Sequence, residues 1–240
     1  VAAALGYVLV AMSAAYFMIF AIFPAALYVA WSVARVGRAE ARGWIKERLR
    51  WFFGFVATSL PCLLVLFSSQ FWILFHGHSL DRPREEFDLY GSPLWSYLTP
   101  TSLHLLGSLL PSDPYQTLGA SAGERTSYLG AVTILLLAYA AFQRAGLRRA
   151  SYLWMTFGLL VVLSLGASWK VGGRSISLPS AWLWDYFPVY RMTRVPSRFN
   201  LFAGVLAGVL AAAGLRHLLA RVPGQKGRAA VFAALTVLAV

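Results

Sequence analysis

No charged residue interrupts the chain from Val1 to Ala34, Trp51 to Phe75, Thr126 to Gln143, Ala150 to Trp169, Phe199 to Leu215 or Ala229 to Val240. A helix needs about 20 mainly apolar residues to cross the ~30 Å hydrocarbon core of a bilayer. The first run is too long for one ordinary span and is expected to hold two, with a tight hairpin near Ser13-Ala14-Ala15. The spans expected are about 1–12 (truncated), 16–34, 51–75, 126–143, 150–169, 199–215 and 229–240 (truncated). The fold class expected is all-α. It is a polytopic transmembrane helix bundle, one membrane domain over 1–240, with interfacial or re-entrant segments in two external loops, 76–125 and 170–198. The chain opens inside one apolar run and stops inside another, and is read as a fragment of a longer polytopic protein.

Composition agrees with that class. Hydrophobic residues make up 59% and charged residues 12%, against about 25% charged in a soluble domain. The net charge of +12 would point to nucleic acid in a soluble protein. Here the basic residues fall in short clusters between apolar runs, so nucleic acid is excluded as a partner and the bilayer is the expected one. Cys62 stands alone inside a run, expected as a small buried apolar residue.

Leu89 to Ser112 is free of charge but is not expected to span. Pro93, Pro100 and Pro111 interrupt it, and such a backbone cannot satisfy itself in lipid. Leu178 to Tyr190, with five aromatic residues around Pro179 and Pro188, reads as an aromatic belt at headgroup depth.

The loops give an orientation. Arg35, Arg38, Arg42, Lys46, Arg48 and Arg50 lie in one linker; Arg144, Arg148 and Arg149 in a short turn; Arg216, Arg221, Lys226 and Arg228 in a second linker over 216–228. These hold well over half of the 21 Lys and Arg, and the positive-inside rule makes them cytoplasmic. Residues 76–125 and 170–198 then fall outside.

Arg191, Arg194 and Arg198 therefore stand on the side where such charges are least expected, just before an apolar run. Pro196 disfavours helix at Val195 and suits a first helical turn. Arg198 in that turn opposes the helix dipole unless an anion is present. A phosphate or pyrophosphate would meet guanidinium forks and unpaired backbone N–H groups there. Two other readings stay open: the arginines snorkel to lipid phosphates, or Asp185 pairs with one of them.

The first external loop offers His76-Gly-His78, a weak metal-ligand pair without a fixed third ligand. Glu85, Glu86 and Asp88 are candidates for a general base or a metal carboxylate, or form a solvated charged run. His104 is expected to be simply packed. The chain has no Gly-rich phosphate loop, no Gly-x-Ser-x-Gly elbow and no His-Glu-x-x-His. No charge sits mid-span, which argues against an ion pump or proton relay.

Ser92-Pro-Leu-Trp-Ser-Tyr-Leu-Thr-Pro100, Ser127-Tyr-Leu-Gly130 and Pro188-Val-Tyr-Arg-Met-Thr-Arg-Val-Pro-Ser-Arg-Phe199 follow one another in an order that resembles the later part of GT-C-type bacterial membrane glycosyltransferases. The similarity is to the YfhO-like group and covers roughly residues 85 to 215. It implies sugar transfer from a polyprenyl-phosphate donor on the outer face of the bacterial cytoplasmic membrane. It also implies a catalytic carboxylate, with a divalent metal, in an upstream loop, so no catalytic residue is assigned. Arg191, Arg194 and Arg198 match the family-like motif and would suit the donor phosphate. Trp184 and Tyr190, in the aromatic segment before them, would suit the prenyl chain or a sugar face. The alternatives are a non-catalytic transporter or binding protein for lipid-linked glycans, and a structural membrane subunit.

Overall fold

The structure is a computed structural model. It describes residues 15–36, 38–66, 68, 72, 83–101, 104–109, 113–143, 151–171, 174–187, 190, 191, 193 and 195–239. The chain divides into two compact units, Val1–Arg82 with Pro188–Thr193, and Pro83–Phe187 with Arg194–Val240.

In the first unit, helix α1 (Ala15–Val36) packs on helix α2 (Arg38–Leu66). The basic linker expected over 35–50 is helical instead: α2 begins at Arg38 and carries Arg38 to Arg50 as its first turns. Ala, Arg, Glu, Lys and Leu are all strong helix formers, so charge alone does not make this stretch a loop. Within α2, Thr58 and Ser59 donate their hydroxyls back to Gly54 and Phe55 carbonyls at 2.8 and 2.9 Å, which satisfies them on an apolar surface. Cys62 is exposed rather than buried.

The second unit is built on helices α5 (Ala131–Phe142), α6 (Ser151–Ser164) and α8 (Phe199–Arg221), with α9 (Gln225–Ala239) against α5. Leu136, Leu137, Ala207, Leu210 and Ala211 form its core. Ala203, Ala207, Ala211 and Gly214 make a buried small-residue stripe along α8, which lets backbones approach closely. At Gly214 a Cβ would lie 2.5 Å from the Leu136 carbonyl oxygen and 3.1 Å from the Ala140 methyl. Only glycine fits at that crossing.

Helix α5 has 12 residues and α6 has 14. Both are shorter than the spans expected over 126–143 and 150–169, about 18 and 21 Å at ~1.5 Å per residue. Gly130, at φ +86°, holds back the start of α5, and Gly166, at φ +91°, turns the chain after α6. Two stretches, Ile45–Val65 and Pro196–Arg221, are long and apolar enough to cross a membrane by length and composition.

The expectation of an all-α chain is corrected at residues 168–177. Strands β1 (Ser168–Val171) and β2 (Arg174–Ser177) pair antiparallel, with Trp169 opposite Ile176 and Val171 opposite Arg174. The sequence signal is Gly172-Gly173, a two-residue hairpin pair. The remaining elements are short. They are helix α3 (Arg84–Leu89), 3-10 turns at Leu94–Tyr97, Gly107–Leu109 and Pro114–Ser121, helix α4 (Ala122–Arg125) and helix α7 (Pro179–Tyr186). The proline-rich stretch after Leu89 thus folds as brief turns rather than as a span. Pro196 opens a 3-10 turn that runs directly into α8.

Candidate functional site

In the second unit, side chains tie together the segment before α5, the last turn of α6 and the first turn of α8. Asn200, in the first turn of α8, donates its amide to the Ser92 hydroxyl at 2.7 Å and to the Ser127 hydroxyl. Its carbonyl accepts from the Tyr97 hydroxyl. Tyr97 also shares a 2.6 Å hydrogen bond with Ser164, the last residue of α6. Ser127 donates to Ser92 at 2.9 Å, and the Ser92 N–H donates to the Ser164 carbonyl at 2.9 Å. At the opposite end of the bundle Arg221 donates to Gln143 at 2.9 Å, joining the last turns of α8 and α5.

Tyr97, Ser92, Ser127 and Ser164 are all buried. Burial pushes the Tyr97 phenol well above its ordinary range, with the Ser164 hydrogen bond opposing the shift. The phenol is therefore a neutral hydrogen-bonding group and not a base. This cluster clasps two helix ends and the segment before α5, and fixes the loops between them.

Beside it lies a cleft of about 420 Å³, lined by Glu85, Asp88, Ser92, Arg125, Ser168 and Trp169 among others. Asp88 accepts from the Ala167 and Ser168 N–H groups at 2.8 and 3.0 Å, and from the Ser168 hydroxyl at 3.0 Å. Its carboxylate anchors the chain between α6 and the hairpin. Gly91 lies so close to the Leu165 carbonyl that a Cβ there would collide with it. Arg125 donates from Nε to the Gly91 carbonyl at 2.7 Å, which fixes the plane of its guanidinium at the cleft wall. Partial burial holds the Arg125 pKa below the ordinary arginine value.

The residues singled out from the sequence fall in several places. Arg198 is paired with Glu124 at 3.2 Å. Arg191 is half-buried and belongs to the first unit, whereas Arg198 belongs to the second. Arg194, His76 and His78 lie outside the described residues. Asp185 pairs with Arg84 at 3.6 Å, an arginine outside the expected cluster.

Trp184 and Tyr190, expected to suit a prenyl chain or a sugar face, are buried. Trp184 packs on Phe87 at 4.7 Å and Tyr190 meets Phe23 edge-on at 5.7 Å. Large aromatic surfaces contribute more by filling a core than by facing solvent. Glu86 is half-buried in the first turn of α3, and it is its neighbour Glu85 that lines the cleft. Asp88 lines the cleft with its carboxylate committed to the backbone. His104 packs on Tyr128 at 5.3 Å, and its Nδ1 accepts from the Leu106 N–H at 3.1 Å. Among the described residues no three His, Cys, Asp or Glu form a metal-sized group.

Asn200, Ser164, Arg125 and Trp169 escape the sequence reading. Asn200 had a signal: it is the sole polar side chain between Phe199 and Leu215, and such residues commonly bridge helices. Arg125 had none, because a single arginine at a loop end looks like any solvated charge. No protein-family model, curated protein or solved structure matches the chain.

Proposed function

We propose that this chain is part of an integral membrane protein of glycosyltransferase type, which takes a sugar from a polyprenyl-phosphate donor at the outer face of the membrane. The observation that carries the reading is a convergence. Ser92 and Tyr97 from the first family-like stretch, Ser127 from the second, and Asn200, one residue past the third, meet in one hydrogen-bonded cluster. The first two stretches and the residue that follows the third thus share one end of the helix bundle of the second unit. That end carries the cleft, Arg125 and the Arg198–Glu124 pair. In the proposed orientation it faces outward, and the basic Arg216–Arg228 segment faces the cytoplasm.

In this reading Arg191, Arg194 and Arg198 stabilise the phosphate that departs with the polyprenyl chain, and the base that activates the acceptor comes from upstream sequence. The test is transfer from a synthetic polyprenyl-phosphate sugar by the full-length protein in proteoliposomes. Arg194→Ala and Arg198→Ala should each lower transfer at least tenfold while membrane insertion is retained. Full activity in both removes the arginines from the mechanism. The Arg198–Glu124 ion pair favours a second reading, in which the protein holds lipid-linked glycans or lipid headgroups without chemistry. Equal donor binding with no transfer by the full-length protein selects it.

A further inference from the structure

Arg125 is a half-buried cation in a cleft, and two nearby carboxylates are committed elsewhere. Asp88 accepts from backbone N–H groups and Ser168, and Glu124 pairs with Arg198. Among the described residues Arg125 forms no ion pair, and its one side-chain hydrogen bond leaves through Nε to the Gly91 carbonyl. The pKa of Arg125 is lowered by desolvation, with no opposing carboxylate. A partly dehydrated guanidinium that remains charged is stabilised by an anion, and its Nη groups form the fork that recognises phosphate or carboxylate.

The rest of the cleft is suited to a body larger than a bare anion. Its volume of about 420 Å³ lies within the ~300–1,000 Å³ of small-molecule sites. The exposed Glu85 carboxylate and the lone pairs of the Ser168 hydroxyl oxygen supply acceptors for hydroxyls. Trp169, 39% exposed on β1, supplies an aromatic wall.

We propose that this cleft is a binding site for a phosphoryl-bearing, hydroxyl-rich group of about monosaccharide size, with Arg125 on the phosphoryl oxygens and Trp169 against the ring. The site goes beyond the function proposed above: it needs neither Arg191, Arg194 and Arg198 nor any transfer reaction. The same ligand chemistry is offered by a soluble sugar phosphate and by a phosphorylated lipid headgroup.

The test is calorimetric titration of the full-length protein in nanodiscs of zwitterionic lipid, with a hexose phosphate, the plain hexose and inorganic phosphate as probes. The hexose phosphate should bind saturably, at least tenfold more tightly than the hexose. Arg125→Gln should weaken it at least tenfold. Trp169→Ala should weaken the hexose phosphate several-fold and leave inorganic phosphate unchanged. Glu85→Gln, at an exposed position, should weaken the hexose phosphate and tighten inorganic phosphate by removing a like charge.

Arg221→Gln, at the opposite end of the bundle on Gln143, should leave all three affinities as they are. Nanodiscs with anionic phosphorylated lipid should compete with the hexose phosphate if the headgroup is the source, and should not if the source is soluble. Hexose and hexose phosphate binding equally would overturn the proposal. If Arg125→Gln does not fold, unchanged hexose phosphate affinity in both Trp169→Ala and Glu85→Gln overturns it equally.

Discussion

Asn200 and Tyr97 are joined by a direct side-chain hydrogen bond across 103 positions of sequence. The bond ties the first turn of α8 to the 3-10 turn at Leu94–Tyr97. Because Asn200 also reaches Ser92 and Ser127, one amide serves three hydroxyls on two loop segments. Asn200→Leu leaves three buried hydroxyls short of a partner. An unsatisfied buried group costs about 1–3 kcal/mol, so thermal unfolding in detergent should shift down by several degrees. Tyr97→Phe removes one hydroxyl and should have the smaller effect of the two.

Gly214 marks the closest crossing of α8 and α5. Gly214→Ala places a methyl 2.5 Å from the Leu136 carbonyl oxygen, and the backbone cannot yield there as a flexible side chain can. Overpacking of this kind costs about 1–3 kcal/mol. Gly208→Ala, on the same helix with nothing within 4 Å of the added atom, is the control. It should be neutral or slightly stabilising through helix propensity.

Asp88→Ala removes the acceptor for two backbone N–H groups and one hydroxyl at the start of the hairpin. Hydrogen bonds to charged groups contribute about 1.5–3 kcal/mol. Faster amide exchange at Ala167 and Ser168, with the α5–α8 crossing still protected, is the expected outcome. Asp88→Asn retains one acceptor oxygen and should fall between the two.

Alkaline pH should reveal two tyrosines. Burial, reinforced by Asp113, pushes the Tyr115 phenol up to about 12, and burial moves Tyr97 further in the same direction. An unfolded tyrosine ionises near 10. Both folded pKa values are raised, so their contribution to stability is complete below about pH 10. For Tyr115 it is lost as pH rises through about 12. An ultraviolet titration should show late-ionising phenols, one fewer in Tyr115→Phe and one fewer in Tyr97→Phe. A titration in which all tyrosines ionise near pH 10 in the folded protein contradicts the buried clasp.

The sequence made α1 and the start of α8 legible to within two residues, because an uncharged apolar run has few other solutions; the linker expected over 216–228 is mostly helical instead, as α8 runs on to Arg221 and α9 begins at Gln225. It misplaced Arg38 to Arg50, because periodic charge on good helix formers looks like a loop when read by charge alone. Strand Ser168–Val171 is too short for alternation to stand out, and the Gly-Gly pair after it is the only cue. At the site, Ser92, Tyr97 and Ser127 lay within the stretches that carried the family resemblance. Their convergence on Asn200 and Ser164 depends on long-range packing that local pattern does not encode. Trp184 and Tyr190 show the same limit: an aromatic cluster near an interface and an aromatic cluster in a core have the same composition.

The central claim, that the protein engages a phosphate-bearing lipid through arginine, is tested most directly by equilibrium binding. Full-length protein in nanodiscs would be titrated with a polyprenyl-phosphate sugar and with the corresponding prenyl alcohol. The wild type would be compared with an Arg191→Ala, Arg194→Ala, Arg198→Ala variant. Loss of the Arg198–Glu124 pair, half-exposed on both sides, should cost only about 0–1 kcal/mol of stability, and thermal unfolding of the variant, measured alongside, separates loss of fold from loss of binding. The predicted result is saturable binding of the phosphate-bearing lipid to the wild type, at least tenfold weaker in the variant, with weak and equal binding of the alcohol to both. Equal affinity of wild type and variant for the phosphate-bearing lipid would contradict the account.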